Sequence, residues 1–409
     1  MKFPFILFAL LPLFFSACSQ DQAASIARED LFTLDIGRLE DQLALYSLEG
    51  DRGITAVNIA MRDGLFYISD GKGQKIVQYT SYGDFIFMIF NEETNPTPLS
   101  LRTNIEDSAA ATRWAFSWPL REPGHLAVDS RKHIYVEDRL PDDRYSVDAE
   151  SRALLDSTVL HFDQDGRFVE YLGQEGIGGS PFPRITGIYT SIWDEIVVVC
   201  RIPSGWNIYW FDSTGMLLYL LPLKNSAVPV PPDWPKVSSS MDAIMPAPDS
   251  RTLYFKVDYY RDTFDESTNT RSGNESDSSI IWSMDVENGS YTDRIEVPFL
   301  EYTFNENGRK VSARVLYSML GAIRGGRIFL NFPLESGYSI LILNAGSAAD
   351  AAAAEGGQRQ GTIRVDRDEL QLNTFDLSAD GILSALLVSN YEAKLVWWRT
   401  DKILGAIAP

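Results

Sequence analysis

The chain has 409 residues, with 56 acidic against 36 basic side chains and a formal net charge of −20. A field of that sign repels nucleic acid and anionic lipid head groups, and leaves cationic ligands or basic protein surfaces as better-matched partners. Three histidines are present, and their spacing gives no metal motif.

The first element is an export signal. Lys2 gives a short positive end, Phe3 to Phe15 form an almost unbroken apolar run, and Phe15-Ser16-Ala17-Cys18 ends in small residues before a cysteine. The run is too short for a membrane-spanning helix, which needs about 20 apolar residues, and no later stretch is long enough. The expected division is therefore a cleaved signal over 1–17, a polar tether over 18–30 and a single folded domain over 31–409. The segment resembles a bacterial lipoprotein signal. Phe15 stands where leucine is usual, a relaxed pattern similar to that of spirochaete lipoproteins. The resemblance implies that Cys18 becomes a lipidated N-terminus. The protein would then be exported and anchored to the cell envelope, with Ser19 favouring the outer membrane. Two or three acyl chains, at roughly 0.8 kcal/mol per buried methylene, hold a protein on a membrane without a helix. With Cys18 lipidated, Cys200 is the only thiol left, so no internal disulfide forms. It follows Ile196-Val197-Val198-Val199 and reads as a buried strand residue.

The rest of the chain reads as β structure in repeating groups of four strands. The first group takes 54–60, 65–70, 75–79 and 85–90; the second 124–129, 133–138, 159–163 and 168–172; the third 184–189, 195–201, 206–212 and 216–221. Fainter groups take 239–246, 251–258, 279–286 and 290–297, then 316–323, 327–332, 338–344 and 361–366. The last has only 371–377, 382–389 and 394–400. A strand near the N-terminus, Leu31–Ile36 or Leu43–Tyr46, is available to complete it, which would tie the chain ends together and remove a sheet edge. This pattern predicts an all-β, six-bladed β-propeller of four-stranded antiparallel blades, with five or seven blades as the other counts to weigh. Ala127-Val128-Asp129 with Ile134-Tyr135-Val136-Glu137-Asp138-Arg139, and Tyr67-Ile68-Ser69-Asp70 with Lys75-Ile76-Val77, resemble the repeats of NHL propellers. That resemblance spans two or three blades. It implies the fold and no particular activity, because propellers host scaffolds, receptors, lactonases and lyases.

In such a blade, turns between the first and second strands and between the third and fourth open on one face. The remaining connections open on the other. The first set is short, as at 62–64, 81–84, 130–132, 164–166, 213–215 and 287–289. The exception is the Ala/Gly-biased segment 346–361, which is assigned no function. The second set takes the insertions at 91–120, 139–156, 223–238, 259–278 and 298–315. These carry aromatics among charges: Arg113, Trp114, Trp118 and Arg121, then Tyr145, Trp234, Tyr259, Tyr260 and Phe264. Aromatics beside arginine are the residue types of interaction hot spots, although they also serve to cap blades and pack long loops.

Enzyme signatures are absent: the sequence has no Gly-x-Ser-x-Gly elbow, phosphate-binding loop or Cys/His pair. His125, pointing toward a central channel, and His133 and His161 read as strand or turn histidines. Asn58, Asp129, Asp242 and Asn373 are imaginable as oxygen ligands to a channel metal of the lactonase kind. The reading is a monomeric, non-catalytic binding propeller without cofactor. Its partner is an envelope protein or small ligand met on the long-loop face, and it reaches the membrane only through lipid. The alternatives are a metal-dependent hydrolase in the channel and a binder of glycan or peptidoglycan fragments.

Overall fold

The structure, a computed structural model, describes residues 24–45, 57–101, 113–173, 180–231, 234, 237–265, 267–306, 309–345 and 358–403. Cys18, the signal segment and most of the segment 346–361 lie outside these residues. Among the described residues the chain forms β-strands and short 3-10 turns only.

Six antiparallel blades follow one another in sequence order. From the innermost strand outward, blade 1 holds Val57–Arg62, Leu65–Asp70, Lys75–Thr80 and Phe85–Phe90. Blade 2 holds Leu126–Val128, Ile134–Arg139, Ser157–Phe162 and Phe168–Tyr171. Blade 3 holds Ile185–Thr190, Ile196–Ile202, Gly205–Phe211 and Leu217–Lys224. Blade 4 holds Ser238–Pro246, Thr252–Phe264, Arg271–Asp285 and Ser290–Val297. Blade 5 holds Ser318–Ile323, Arg327–Leu334, Gly337–Asn344 and Gln358–Arg364. Blade 6 takes Leu372–Leu377, Leu383–Val388 and Glu392–Trp398 from the C-terminal part of the chain and Arg28–Asp35 from its N-terminal part. Of the two strands considered for closure, Leu31–Ile36 is the one used. Leu43–Leu45 instead folds over the seam, with Leu43 bridged to Ile36 and Ala44 N–H donating to the buried Asp70 carboxylate.

Local chemistry accounts for the tight turns. Asp63 and Gly64 both take positive φ, +50° and +76°, between the first two strands of blade 1. This is the left-handed pair that a two-residue hairpin needs to match strand twist. At the turn into Gly205–Phe211, a Cβ on Gly205 would lie 1.9 Å from the Leu223 carbonyl oxygen, so only glycine fits.

Packing explains why the strands read as continuous apolar runs. Each pair of neighbouring blades shares its own hydrophobic cluster, including the pair formed by blades 6 and 1 across the chain ends. A middle strand is therefore buried on both faces. Ile196, Val198 and Cys200 pack toward blade 2, whereas Val197 and Val199 pack toward blade 4.

Three features differ from the sequence reading. Part of the expected tether is a strand: Ala24–Ile26 pairs in parallel with Gln358–Arg364 on the outer edge of blade 5. The insertion 91–120 includes Trp114–Ser117, a parallel fifth strand on Phe85–Phe90 of blade 1. Two insertions are hairpins: 259–278 prolongs the middle strands of blade 4, and Leu300–Glu306 pairs with Arg309–Val315.

Candidate functional site

The innermost strands of all six blades line a central channel of about 290 Å³. Its wall is mainly small and apolar, with Asn58, His125, Thr186, Tyr189 and Asp376 as polar groups among others. Asp376 accepts one hydrogen bond, 2.8 Å from the Met61 N–H. Burial outweighs that bond and pushes its carboxyl up to about 7. Of the oxygen ligands considered from sequence, only Asn58 lines the channel. Asp129 is buried and held by Arg131 Nε at 2.9 Å. Asp242 lies 3.0 Å from Lys256 Nζ, and Asn373 donates to the Tyr338 hydroxyl at 2.9 Å. Among the described residues no three His, Cys, Asp or Glu side chains converge as a metal site.

The histidines are built into blade 2. His133 Nδ1 lies 2.8 Å from His161 Nε2, and His161 Nδ1 lies 3.3 Å from Glu170. Burial lowers the His161 pKa, against the pull of Glu170. His125 borders the channel and sets Nδ1 2.7 Å from Glu137 Oε2, while Ser157 Oγ donates to Glu137 Oε1 at 3.3 Å. Serine, acid and histidine thus meet with the acid in the middle. A nucleophile is activated only when histidine lies between serine and acid, so this order leaves Ser157 unactivated. Cys200 is fully buried, and burial raises its thiol well above the ordinary range, which suits a core residue rather than a nucleophile.

The aromatics singled out in the insertions do not form one patch. Trp114 sits on the fifth strand of blade 1 and donates through Nε1 to the Asp165 carbonyl at 2.6 Å, on the short-turn side of blade 2. Arg113 is exposed, 3.8 Å from Asp84 in a short turn of blade 1. Both therefore lie away from the long-loop face. Trp118 stacks on Phe168 with ring centroids 3.9 Å apart, at the seam of blades 1 and 2. Trp234 packs edge-on against Tyr259 at 5.1 Å. Tyr259 is itself buried, donating to the Pro229 carbonyl and accepting from Trp282 Nε1. Tyr145 and Tyr260 are half-buried, whereas Arg121 and Phe264 are exposed, Phe264 at the end of the prolonged blade 4 hairpin.

What the long-loop face does hold is a groove of about 590 Å³ between blades 2 and 3. Blade 2 contributes Glu122, Glu137, Arg139, Asp156 and Ser157, and blade 3 contributes Arg184 and the stretch Arg201-Ile202-Pro203. Arg139 bridges Glu122 at 3.1 Å and Asp156 at 3.2 Å. Arg201 lies over the Trp206 ring, 4.5 Å from its centroid. None of Arg184, Arg201 and Trp206 stood out in the sequence. Their relation depends on strand register, which no local motif encodes.

No family model matches the chain. No curated protein matches it in sequence. Among solved structures it is similar to a gluconolactonase from Xanthomonas campestris, at 12% identity and a TM-score of 0.38 over 92% of this chain and 97% of that one. It is also similar to the propeller domain of the Trilobed protease from Pyrococcus furiosus, at 8% identity and a TM-score of 0.36 over 84% and 95%. The WD40 domain of coronin from Toxoplasma gondii gives 8% identity and a TM-score of 0.41 over 92% and 87%. Likenesses this distant carry no argument about activity.

Proposed function

We propose that this protein is a non-catalytic propeller of the cell envelope, held to the membrane by lipid on Cys18, that binds its partner or ligand on the long-loop face. The observation that carries the reading is the asymmetry of the two faces. Short turns close most of one face, the segment 346–361 excepted, while the other carries most of the insertions and the groove between blades 2 and 3. The acid-centred order of Ser157, Glu137 and His125 supports binding rather than hydrolysis there. Six chain steps separate Cys18 from Ala24, so a lipid on Cys18 would hold the rim at blade 5 within about 20 Å of the membrane surface.

Photo-crosslinking in the native envelope tests this. A photoreactive residue at Leu154, on the groove, should give a discrete adduct, whereas one at Asn288, in a short turn of the opposite face, should not. Equal labelling from both positions, or none from Leu154, would sink the reading.

A further inference from the structure

We infer that Arg184 and Arg201 form an oxyanion-binding site that takes a carboxylate or phosphate group of a small ligand. The inference rests on the long-loop face as the binding face and adds the chemistry recognised there. The two arginines stand directly opposite each other: Arg201 N–H donates to the Arg184 carbonyl at 2.8 Å, next to the Ile185 and Cys200 pair. Directly opposed residues of an antiparallel pair project to the same face, and like charges in that arrangement destabilise a sheet. A compensating acid is therefore the usual companion. Among the described residues neither guanidinium makes an ion pair, although the chain has an excess of 20 negative charges.

The next residue across the sheet strengthens the case. Arg201 faces Trp206 on the following strand, and its guanidinium lies over that ring at 4.5 Å. An aromatic face fixes the position of a guanidinium while leaving its in-plane N–H donors unused. Arg184 is exposed and Arg201 is half-buried, so both can be reached from solvent. The carboxylates that line the groove are held by other partners: Glu122 and Asp156 by Arg139, Glu137 by His125 and Ser157. The pair thus offers two forked donors whose geometry matches a planar carboxylate or a phosphate.

Isothermal titration of the full-length protein at low salt, with succinate in one arm and inorganic phosphate in the other, tests the site and separates the two sources. We expect saturable binding of at least one anion. It should weaken about ten- to a hundred-fold in Arg184→Gln and in Arg201→Gln, the range for one charged hydrogen-bonding partner. Arg201→Lys keeps the charge but loses the fork, and should also weaken binding. Circular dichroism melts confirm that each variant is folded. Absence of heat with both anions, or affinities unchanged in both glutamine variants, would overturn the inference. Groove-directed crosslinks that persist alongside such a result would leave the envelope-binding reading standing and refute only the anion site.

Discussion

Removing the carboxylate of Glu369 should loosen the closure of the ring, and the effect should vanish in acid. Glu369 lies in the turn Arg367–Glu369 that joins blades 5 and 6, and is buried. It accepts from Arg28, the first residue of the closing strand, with Nη2 2.8 Å from Oε1 and Nη1 bonded to Oε2. Lys394 Nζ adds a contact at 3.3 Å. The Arg28 hydrogen bonds hold the carboxyl at about 2, well below its ordinary 4.5. A displacement of that size is worth about 3 kcal/mol at neutral pH. Arg28 keeps 16% of its side-chain surface in solvent, and that screening reduces the figure to about 2 kcal/mol. For a domain this large it amounts to about 2–3 °C in melting temperature. Because the folded pKa is the depressed one, the stabilisation is present above about 4.5 and is lost as pH falls toward 2. Thermal melts of Glu369→Gln and the parent chain should differ at pH 7 and converge at pH 2. Coincident melts at pH 7, or a gap that survives at pH 2, would refute the assignment of the clasp.

Other outcomes follow from the same geometry. Deleting residues 1–35 uncovers Glu392–Trp398, whose Ala393, Leu395, Val396 and Trp398 are buried; size-exclusion chromatography should show aggregation, and a monodisperse product with the parent melting temperature would contradict strand closure. Asp376 has its carboxyl raised by burial to about 7, so its favourable protonated state is progressively lost as pH rises from about 4 to 7. Asp376→Asn should melt like the parent at pH 4 and higher than it at pH 8; equal melts at pH 8 would refute a buried carboxyl in the channel. Cys18→Ser should move the protein from the detergent phase to the aqueous phase in Triton X-114 partitioning, and retention in detergent would argue against lipid on Cys18.

Much of the ring was legible because its physics repeats. Strands such as the one over 196–200 read as unbroken apolar runs since each is covered by a blade on either side. The sixth group lacked a fourth strand, so a strand had to be found elsewhere, and Arg28–Asp35 supplies it. What stayed hidden depends on contacts between distant segments. Trp114–Ser117 is four residues long and becomes a strand only because the edge Phe85–Phe90 offers unpaired backbone groups. Arg271–Ser278 is rich in Ser, Asn and acids, poor strand formers, yet it pairs with Tyr259–Phe264 as the continuation of a strong hairpin. The tryptophans of the insertions read equally as interaction residues or as loop packing, because no local pattern names their partners. In space Trp118 finds Phe168 and Trp234 finds Tyr259, from other strands altogether. Arg184 and Arg201 were invisible for the same reason: seventeen positions apart in sequence, they become neighbours only through the register of blade 3.

The outer rim shows why the long-loop face, rather than the ring's circumference, is the surface suited to recognition. A blade edge is a row of unpaired backbone groups and attracts strands indiscriminately unless guarded. Blades 1 and 5 cover theirs with parallel fifth strands, Trp114–Ser117 and Ala24–Ile26. Blade 6 presents the charged closing strand with Arg28, Glu29, Asp30 and Asp35, and the outer strand of blade 2 is only four residues long. Blade 3 has the most apolar edge, exposing Leu217, Leu218 and Leu220, and it carries Pro222, which has no N–H to offer a pairing strand. Backbone pairing at such a rim would select little by side chain. The guanidiniums and carboxylates around the groove between blades 2 and 3 discriminate by charge and by hydrogen-bond geometry, and specific binding requires that discrimination.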